Sequence, residues 1–472
     1  MKRWRFVRRA GRRLKRWGLV FVRRTTPVLR VPAPVQRAFV IGYVALARVR
    51  RVLSRPPRGA HILPAPRVPR TYDPLVFAFN AQASRQVLTD RHQFSVDNYD
   101  WKMSDILGRF FLGLDYDHAE YKAQAALWRD IADGRDACLV YALANSAAEE
   151  TPLDHGSVGC VDVVDWTGRT LERFVHSYFG VPTLNPADPG EHRRGSALLD
   201  LFQRVSSYIF NLEQLTGHLY EDAKDAGGEV KKHLTDLVAH KLVSRGTATV
   251  DVVDRLLDQG SASQPERDRI VALLGGTLSG LFVPTSSQFV RVIDFLFDLP
   301  PHELSTFRAI AFQRAGQATS PEDHLTNLAA RYVLESARFD PFPMALIRHC
   351  ANGAELFAGS GKAKAIPAGA SVVAVMNSVA FDPLLAREPA AFLTGRPPAH
   401  SLVFGAGQHE CVGATHSWPI ATALMTAMAL RLFALPGLRR APGRRGALRY
   451  RDSWPASFEL RYDHETPGVS KI

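Results

Sequence analysis

Acidic residues are missing from the first 72 positions of this 472-residue chain. The 20 lysines and arginines there have no counter-charge, so this head carries more than the whole net charge of +13. The other 39 basic residues face all 46 acidic ones, a net of −7, and the body is mildly acidic. Cysteine is scarce: Cys138, Cys160, Cys350 and Cys411 are far apart, with no CxxC pair. That leaves out a zinc ribbon and a redox dithiol, and three of the four are expected as small buried hydrophobes. Sparse thiols fit a reducing compartment such as the cytoplasm. Charge is absent again from residues 271–290. Twenty such residues could span a bilayer, but the glycines, the Ser/Thr cluster and Pro284 predict a buried central helix instead. No flavin or iron–sulfur motif is present. Apolar content of 46% and charged content of 22% describe a soluble globular protein.

The head divides from the rest on composition. Residues 1–24 mix Trp4, Phe6, Leu14, Trp17 and Phe21 with clustered arginines. That composition suits an amphipathic helix on an anionic membrane surface, which makes residues 1–53 a candidate membrane contact. The apolar run at residues 38–47 is too short to cross a bilayer as a helix. A disordered solvated tail is the plainer reading, and nucleic acid ranks last among the uses of such an arm. Pro56, Pro57, Pro64, Pro66 and Pro69 read as a linker. The expected organisation is therefore a basic head and linker over residues 1–70 and one catalytic domain over 71–472.

What carries chemistry lies near the end. Phe404, Gly405, Ala406, Gly407, Gln408, His409, Glu410, Cys411, Val412 and Gly413 place one cysteine among glycines, ahead of a mostly apolar run at 420–435. Glycines let the backbone turn tightly and approach a bulky group closely. A lone thiolate before a helix can be an axial ligand to haem iron; the bland alternative is a structural cysteine in a glycine-rich turn. The pattern Phe-x-x-Gly-x-His-x-Cys-x-Gly resembles the cysteine-ligand loop of the cytochrome P450 family. Phe404, Gly407, His409, Cys411 and Gly413 stand at its fixed positions.

Further features fall in that family's order. Asp117 reads as the N-cap of a helix through Trp128, with His118 and Lys122 on one face. In the family a His-x-x-x-Arg here reaches a haem propionate; Lys122 keeps the charge but loses the guanidinium fork. Helical spacing recurs at 171–179, 198–212 and 230–242. Residues 264–299 read as one long helix opened by Pro265 and closed by Pro300 and Pro301, with a kink at Pro284. The family's distal helix carries an acid and a threonine for proton delivery. Here Thr285 or Ser286 supplies the hydroxyl, and no acid appears before Asp294. Glu335 and Arg338 are three apart on a predicted helix, 73 residues before Cys411 (411 − 338). With Arg396 of the Phe392-to-Arg396 segment they match the family's structural Glu/Arg/Arg triad. Arg348 matches its propionate-binding strand arginine. Arg439, Arg440, Arg444 and Arg445 follow the last helix, close in sequence to the cysteine side, and residues 454–461 read as a late strand.

The resemblance implies a mainly α fold with a smaller β region, enclosing haem b. Cys411 would be the metal ligand; Lys122, Arg348 and His409 would balance the propionates, because a buried carboxylate needs a partner. The first function implied is a monooxygenase acting on an apolar small molecule, fed electrons by a separate ferredoxin or flavodoxin-type partner. The second is a peroxygenase, or an isomerase or dehydratase of lipid hydroperoxides, working without external electrons. The third is a haem-binding sensor or carrier.

Overall fold

A computed structural model describes residues 28–30, 75–131, 136–153, 159–184, 196–210, 217–244, 251–259, 263–317, 319–360, 363–397, 402–414, 419–451 and 454–463. The basic head, apart from residues 28–30, lies outside these. Among the described residues the helices are α1 (Ala81–Thr89), α2 (Asp97–Ile106), α3 (Ala119–Ile131), α4 (Ala137–Glu150), α5 (Val163–Phe179), α6 (Ala197–Ile209), α7 (Gly217–Val243), α8 (Val252–Gln259), α9 (Gln264–Leu296), α10 (Pro301–Arg314), α11 (His324–Phe339), α12 (Met376–Val379) and α13 (Ile420–Phe433). The strands are β1 (Val28–Arg30), β2 (Leu75–Ala78), β3 (Cys160–Asp162), β4 (Leu346–Cys350), β5 (Ala354–Leu356), β6 (Lys364–Ile366), β7 (Ala370–Ala374), β8 (Arg439–Arg440), β9 (Arg449–Arg451), β10 (Trp454–Ser457) and β11 (Glu459–Arg461). The expected mainly helical fold with a smaller β region is what forms.

The chain divides into two compact units, one of residues 1–126, 204–228 and 337–412, the other of 127–203, 229–336 and 413–472. The first is built on a four-stranded sheet in the order β1-β2-β7-β4. Strands β2 and β7 are parallel; β4 is antiparallel to β7, with Arg348 opposite Val372. Side chains alternate across a strand, so Arg348 and Cys350 share one face of β4. Val76, Ala83, Val87, Phe94, Cys350 and Val372 form a core beneath the sheet. Helix α1 starts where Asn80 Oδ1 accepts the N–H of Ala83 at 2.8 Å, an N-cap of the usual kind.

The second unit is helical. In α9 every residue from 270 to 296 is buried except Gly280, which is exposed, and Pro284, which is half-buried. This apolar helix is therefore core, as its glycines and hydroxyls predicted. It runs as one helix straight through Pro284. A proline has no N–H to return to the carbonyl four residues back, so the Gly280 carbonyl lacks its helical partner. Helix α5 packs on α9, and Trp166 and Phe289 bring their rings to 6.3 Å. Helix α13 packs on α4 and α10, with Phe433 between the rings of Phe297 at 5.1 Å and Phe307 at 5.2 Å. The late strand is two strands, β10 and β11, parted at Phe458. Asp162 caps α5 by accepting the Val164 N–H at 2.9 Å.

Candidate functional site

The cysteine loop is closed by main-chain hydrogen bonds. Cys411 N–H donates to the Phe404 carbonyl at 2.9 Å, Gly405 N–H to Leu402 at 2.9 Å, and Glu410 N–H to Gly407 at 3.1 Å. Gly407 has φ of +75°, and a Cβ there would lie 2.9 Å from the Leu88 carbonyl and 3.2 Å from Thr89 Cα. Both the conformation and the approach of α1 therefore require glycine. Around Gly413 the space is open: a Cβ would meet nothing within 4 Å. Cys411 is half-buried. The expectation for the other thiols holds only for Cys350, which is buried. Cys138 is exposed, because its helix position points away from the core, and Cys160 is half-buried with Sγ 3.1 Å from Glu459 Oε1. Burial, then the Glu459 hydrogen bond and charge, push the Cys160 thiol up to about 11.

Helix α3 reaches the loop through an aromatic residue that sequence reasoning missed. Tyr121 donates its hydroxyl to the Gln408 carbonyl at 3.4 Å, and its ring lies 5.9 Å from that of His409. Tyr116 stands 5.5 Å from Tyr121, with Lys122 Nζ 5.8 Å and the Arg91 guanidinium 4.4 Å from its ring centre. The Tyr at the fourth position of the His118-to-Lys122 segment was the available signal. The helix starts at Ala119, and the residue that caps it is His118, not Asp117. His118 Nδ1 accepts the Glu120 N–H at 3.1 Å, and the His118 carbonyl accepts the Lys122 N–H at 3.3 Å. An imidazole that accepts on Nδ1 carries its proton on Nε2 when neutral, so among the described residues Nε2–H is a donor with no hydrogen bond of its own.

Arg348 is on a strand, as expected, and only 5% exposed. Among the described residues its one side-chain hydrogen bond runs from Nη1 to its own neighbour's carbonyl, Ile347, at 2.8 Å. Nearby His409 Nδ1 is buried without a hydrogen-bond partner, and so is Gln408 Oε1. Burial first, then the Arg348 charge, hold the His409 imidazole down at about 3. His409 is therefore neutral at pH 7 and contributes a hydrogen bond where the sequence led us to expect a charge. Among the described residues this buried guanidinium has no ion pair, and beside an unpartnered imidazole nitrogen it is a donor set for a carboxylate.

The two arginines of the expected triad tie down one irregular segment. Arg338, 1% exposed, donates from Nη1 to the carbonyls of Ala380 at 2.8 Å and Pro389 at 2.9 Å, and from Nη2 to Ala391 at 3.2 Å. Arg396 donates to the carbonyls of Arg387 at 2.7 Å, Glu388 at 3.3 Å and Ala391 at 3.5 Å. Glu335 is buried one helical turn before Arg338 on α11. In the other unit, Thr285 and Ser286 are buried on α9, and Ser286 Oγ donates to the Val283 carbonyl at 3.1 Å. Thr277 Oγ1 and Ser287 Oγ are buried without partners. Beside Gly280 a Cβ would meet nothing within 4 Å, so the helix has open space along that edge. Asp294 is bound by Arg440, whose Nη1 meets its carboxylate and whose Nη2 donates to its carbonyl at 2.6 Å. The later arginines are structural in part: Arg439 pairs with Asp463 at 2.6 Å and Arg445 with Glu459 at 3.4 Å.

Solved cytochromes P450 share this architecture over nearly their whole length. P450 EryK, a mutant of which was solved with erythromycin B, is 17% identical, covering 97% of this chain and 98% of that one at a TM-score of 0.61. CYP105P1 in complex with filipin I is 20% identical over 95% of this chain and 96% of that one, at a TM-score of 0.66. CYP109E1 from Bacillus megaterium, in complex with testosterone, is 17% identical over 94% and 98%, at 0.62. No protein-family model matches the chain, and no curated protein matches it. The chain has the cytochrome P450 fold.

Proposed function

We propose that the protein is a haem-thiolate monooxygenase that inserts one oxygen atom into an apolar small molecule. The observation that carries this is Cys411, held in a closed glycine loop whose backbone cannot accept another residue at Gly407. Haem b, bound through a thiolate, would supply an iron centre able to activate oxygen. Cys411, through Sγ, would be the residue that holds it. Phe404 and Gly413 flank it, and the turned main chain of the loop offers N–H groups that temper the thiolate. Arg348 and Lys122 would hold the two carboxylates by charge, and His409 and His118 would hold them by ring N–H donors. Glu335, Arg338 and Arg396 are positioning residues, fixing the segment that precedes the loop. Thr285 Oγ1 and Ser286 Oγ are the hydroxyls assigned to proton delivery.

A small, largely apolar substrate is supported by the ligands solved with the similar P450s, erythromycin B, filipin I and testosterone. Because the sequence carries no flavin or iron–sulfur motif, the electron donor would be a separate ferredoxin or flavodoxin-type protein. A peroxide-driven reading keeps one observation in its favour. The first acid on α9 after Val271 is Asp294, and Arg440 holds it, so no carboxyl group is free to relay protons from there. The test offers purified holoprotein reductant with ferredoxin, and separately hydrogen peroxide or a fatty-acid hydroperoxide without reductase. Turnover with the first supports the monooxygenase; turnover only with the second replaces it by the peroxygenase or hydroperoxide isomerase. A reduced protein that shows no red-shifted Soret band with carbon monoxide would refute thiolate ligation altogether.

A further inference from the structure

Helix α9 has one accessible face, and that face lacks one of the helix's own hydrogen bonds. From residue 270 to 296 only Gly280 and Pro284 are not buried. They stand four apart, so they lie one above the other on one side of the helix. Thr277, three residues before Gly280, falls on the same side. Pro284 sits inside the helix, where its N–H would have closed the bond to the Gly280 carbonyl, and proline has none. Gly280 has no side chain to cover that carbonyl, and a Cβ added there would meet nothing within 4 Å. One turn earlier, the Thr277 hydroxyl is buried without a partner.

Backbone polar groups in folded proteins are nearly always paired. A proline in a helix interior breaks a local rule, and real proteins concentrate such breaks at functional sites. The chemistry of the missing partner follows from the face itself. A carbonyl only accepts, so the partner must bring an N–H or an O–H. Residues 271–290 hold no charge, so an ionic group would be buried there without a counter-ion. A neutral donor on an apolar body fits, and the simplest is the hydroxyl of an alcohol. Thr277 Oγ1 offers such a molecule a second polar contact further along the same face.

We propose that the Gly280 carbonyl anchors the substrate by accepting a hydrogen bond from its hydroxyl group, and that Pro284 is the residue that keeps this acceptor open. The inference deepens the monooxygenase reading and rests on it, because the assignment of Thr285 and Ser286 puts α9 beside the reacting centre. The anchored hydroxyl then sets which carbon of the molecule is presented for reaction. A ketone or hydrocarbon of the same shape leaves the carbonyl unpaired, which should weaken binding about tenfold.

The test uses full-length holoprotein and N-alkylimidazoles from butyl to decyl, each with and without a terminal hydroxyl. The imidazole nitrogen ligates haem iron, so a Soret shift reads binding without turnover, and chain length carries the hydroxyl along the helix. In the wild type one chain length should bind about tenfold tighter with its hydroxyl than without it. Pro284→Ala supplies the missing N–H, so this advantage should vanish while the plain alkylimidazoles bind as before. A higher urea midpoint of that variant shows that the helical bond has closed, since a proline has left the helix interior. Gly280→Val has room for its Cβ and should cover the carbonyl with Pro284 still in place. Where Pro284→Ala does not raise the midpoint, or alters the plain ligands, Gly280→Val decides in its stead. If no chain length gains from its hydroxyl, as when water alone occupies the carbonyl, the proposal is overturned. An advantage that survives the deciding variant overturns it equally. Plain alkylimidazoles that leave the wild-type Soret band unmoved would instead overturn the haem reading on which the proposal rests.

Discussion

Replacing Arg338 with alanine is expected to remove about 3–5 kcal/mol of stability, the range for breaking a buried charged interaction. The magnitude follows from what the guanidinium touches. It is 1% exposed and supplies the carbonyls of Ala380, Pro389 and Ala391. Ala391 keeps Arg396 as a second donor at 3.5 Å, so two carbonyls lose their partner. Each unsatisfied buried carbonyl costs about 1–3 kcal/mol. The planar group also lies 4.4 Å from the Phe339 ring centre and 5.3 Å from that of Phe381, contacts worth about 0.5–2 kcal/mol each. Water entering the vacated space offsets part of the sum. Since whole-domain stability is only about 5–15 kcal/mol, the variant should unfold at much lower urea. Arg338→Lys, with a point charge and no fork, should fall between the two. Arg396→Ala should cost about 1 kcal/mol, because its carbonyl partners reach water. Urea unfolding of holoprotein, read by far-UV circular dichroism and by Soret absorbance, measures all three. Arg338→Ala within about 1 kcal/mol of wild type, or Arg396→Ala as the more damaging change, would refute the reasoning.

Cys411→Ala should abolish the red-shifted Soret band of the reduced carbon monoxide form, while Cys138→Ser, Cys160→Ser and Cys350→Ser each retain it. Gly407→Ala should lower stability by more than the roughly 1–2 kcal/mol of a left-handed non-glycine residue, since its Cβ would also meet the Leu88 carbonyl at 2.9 Å; holoprotein yield and urea midpoint report it. Thr285→Ala combined with Ser286→Ala should cut reductant-driven turnover by ~100-fold or more, the usual scale of a lost proton relay, and leave peroxide-driven turnover largely intact; equal losses in both assays remove the relay assignment. The full-length protein should pellet with anionic liposomes and release at high salt, because surface charge attraction is screened; release only by detergent would mean an inserted helix in the head.

Much of the candidate site was legible in the chain because it is local. The glycine loop around Cys411, the long uncharged helix with Thr285, and Arg348 on an apolar strand are each written in one short stretch, where spacing and residue type dictate the conformation. Asp117 misled because two polar residues in succession can each cap a helix, and only the backbone path decides that His118 does.

The sequence by itself determined a mainly helical body, a single cysteine in a glycine-rich loop, and a long apolar helix too rich in glycine and hydroxyls to be anything but core. Tertiary structure decided what each charge meets. Arg338 and Arg396 spend their donors on main-chain carbonyls, which every residue has and no motif records. Tyr121 meets Gln408 across 287 positions of chain. Burial beside Arg348 makes His409 neutral, and burial beside Asp97 raises Asp115. A side chain's charge state depends on the solvent it loses and on neighbours that folding brings together, and neither quantity exists until the chain has closed on itself.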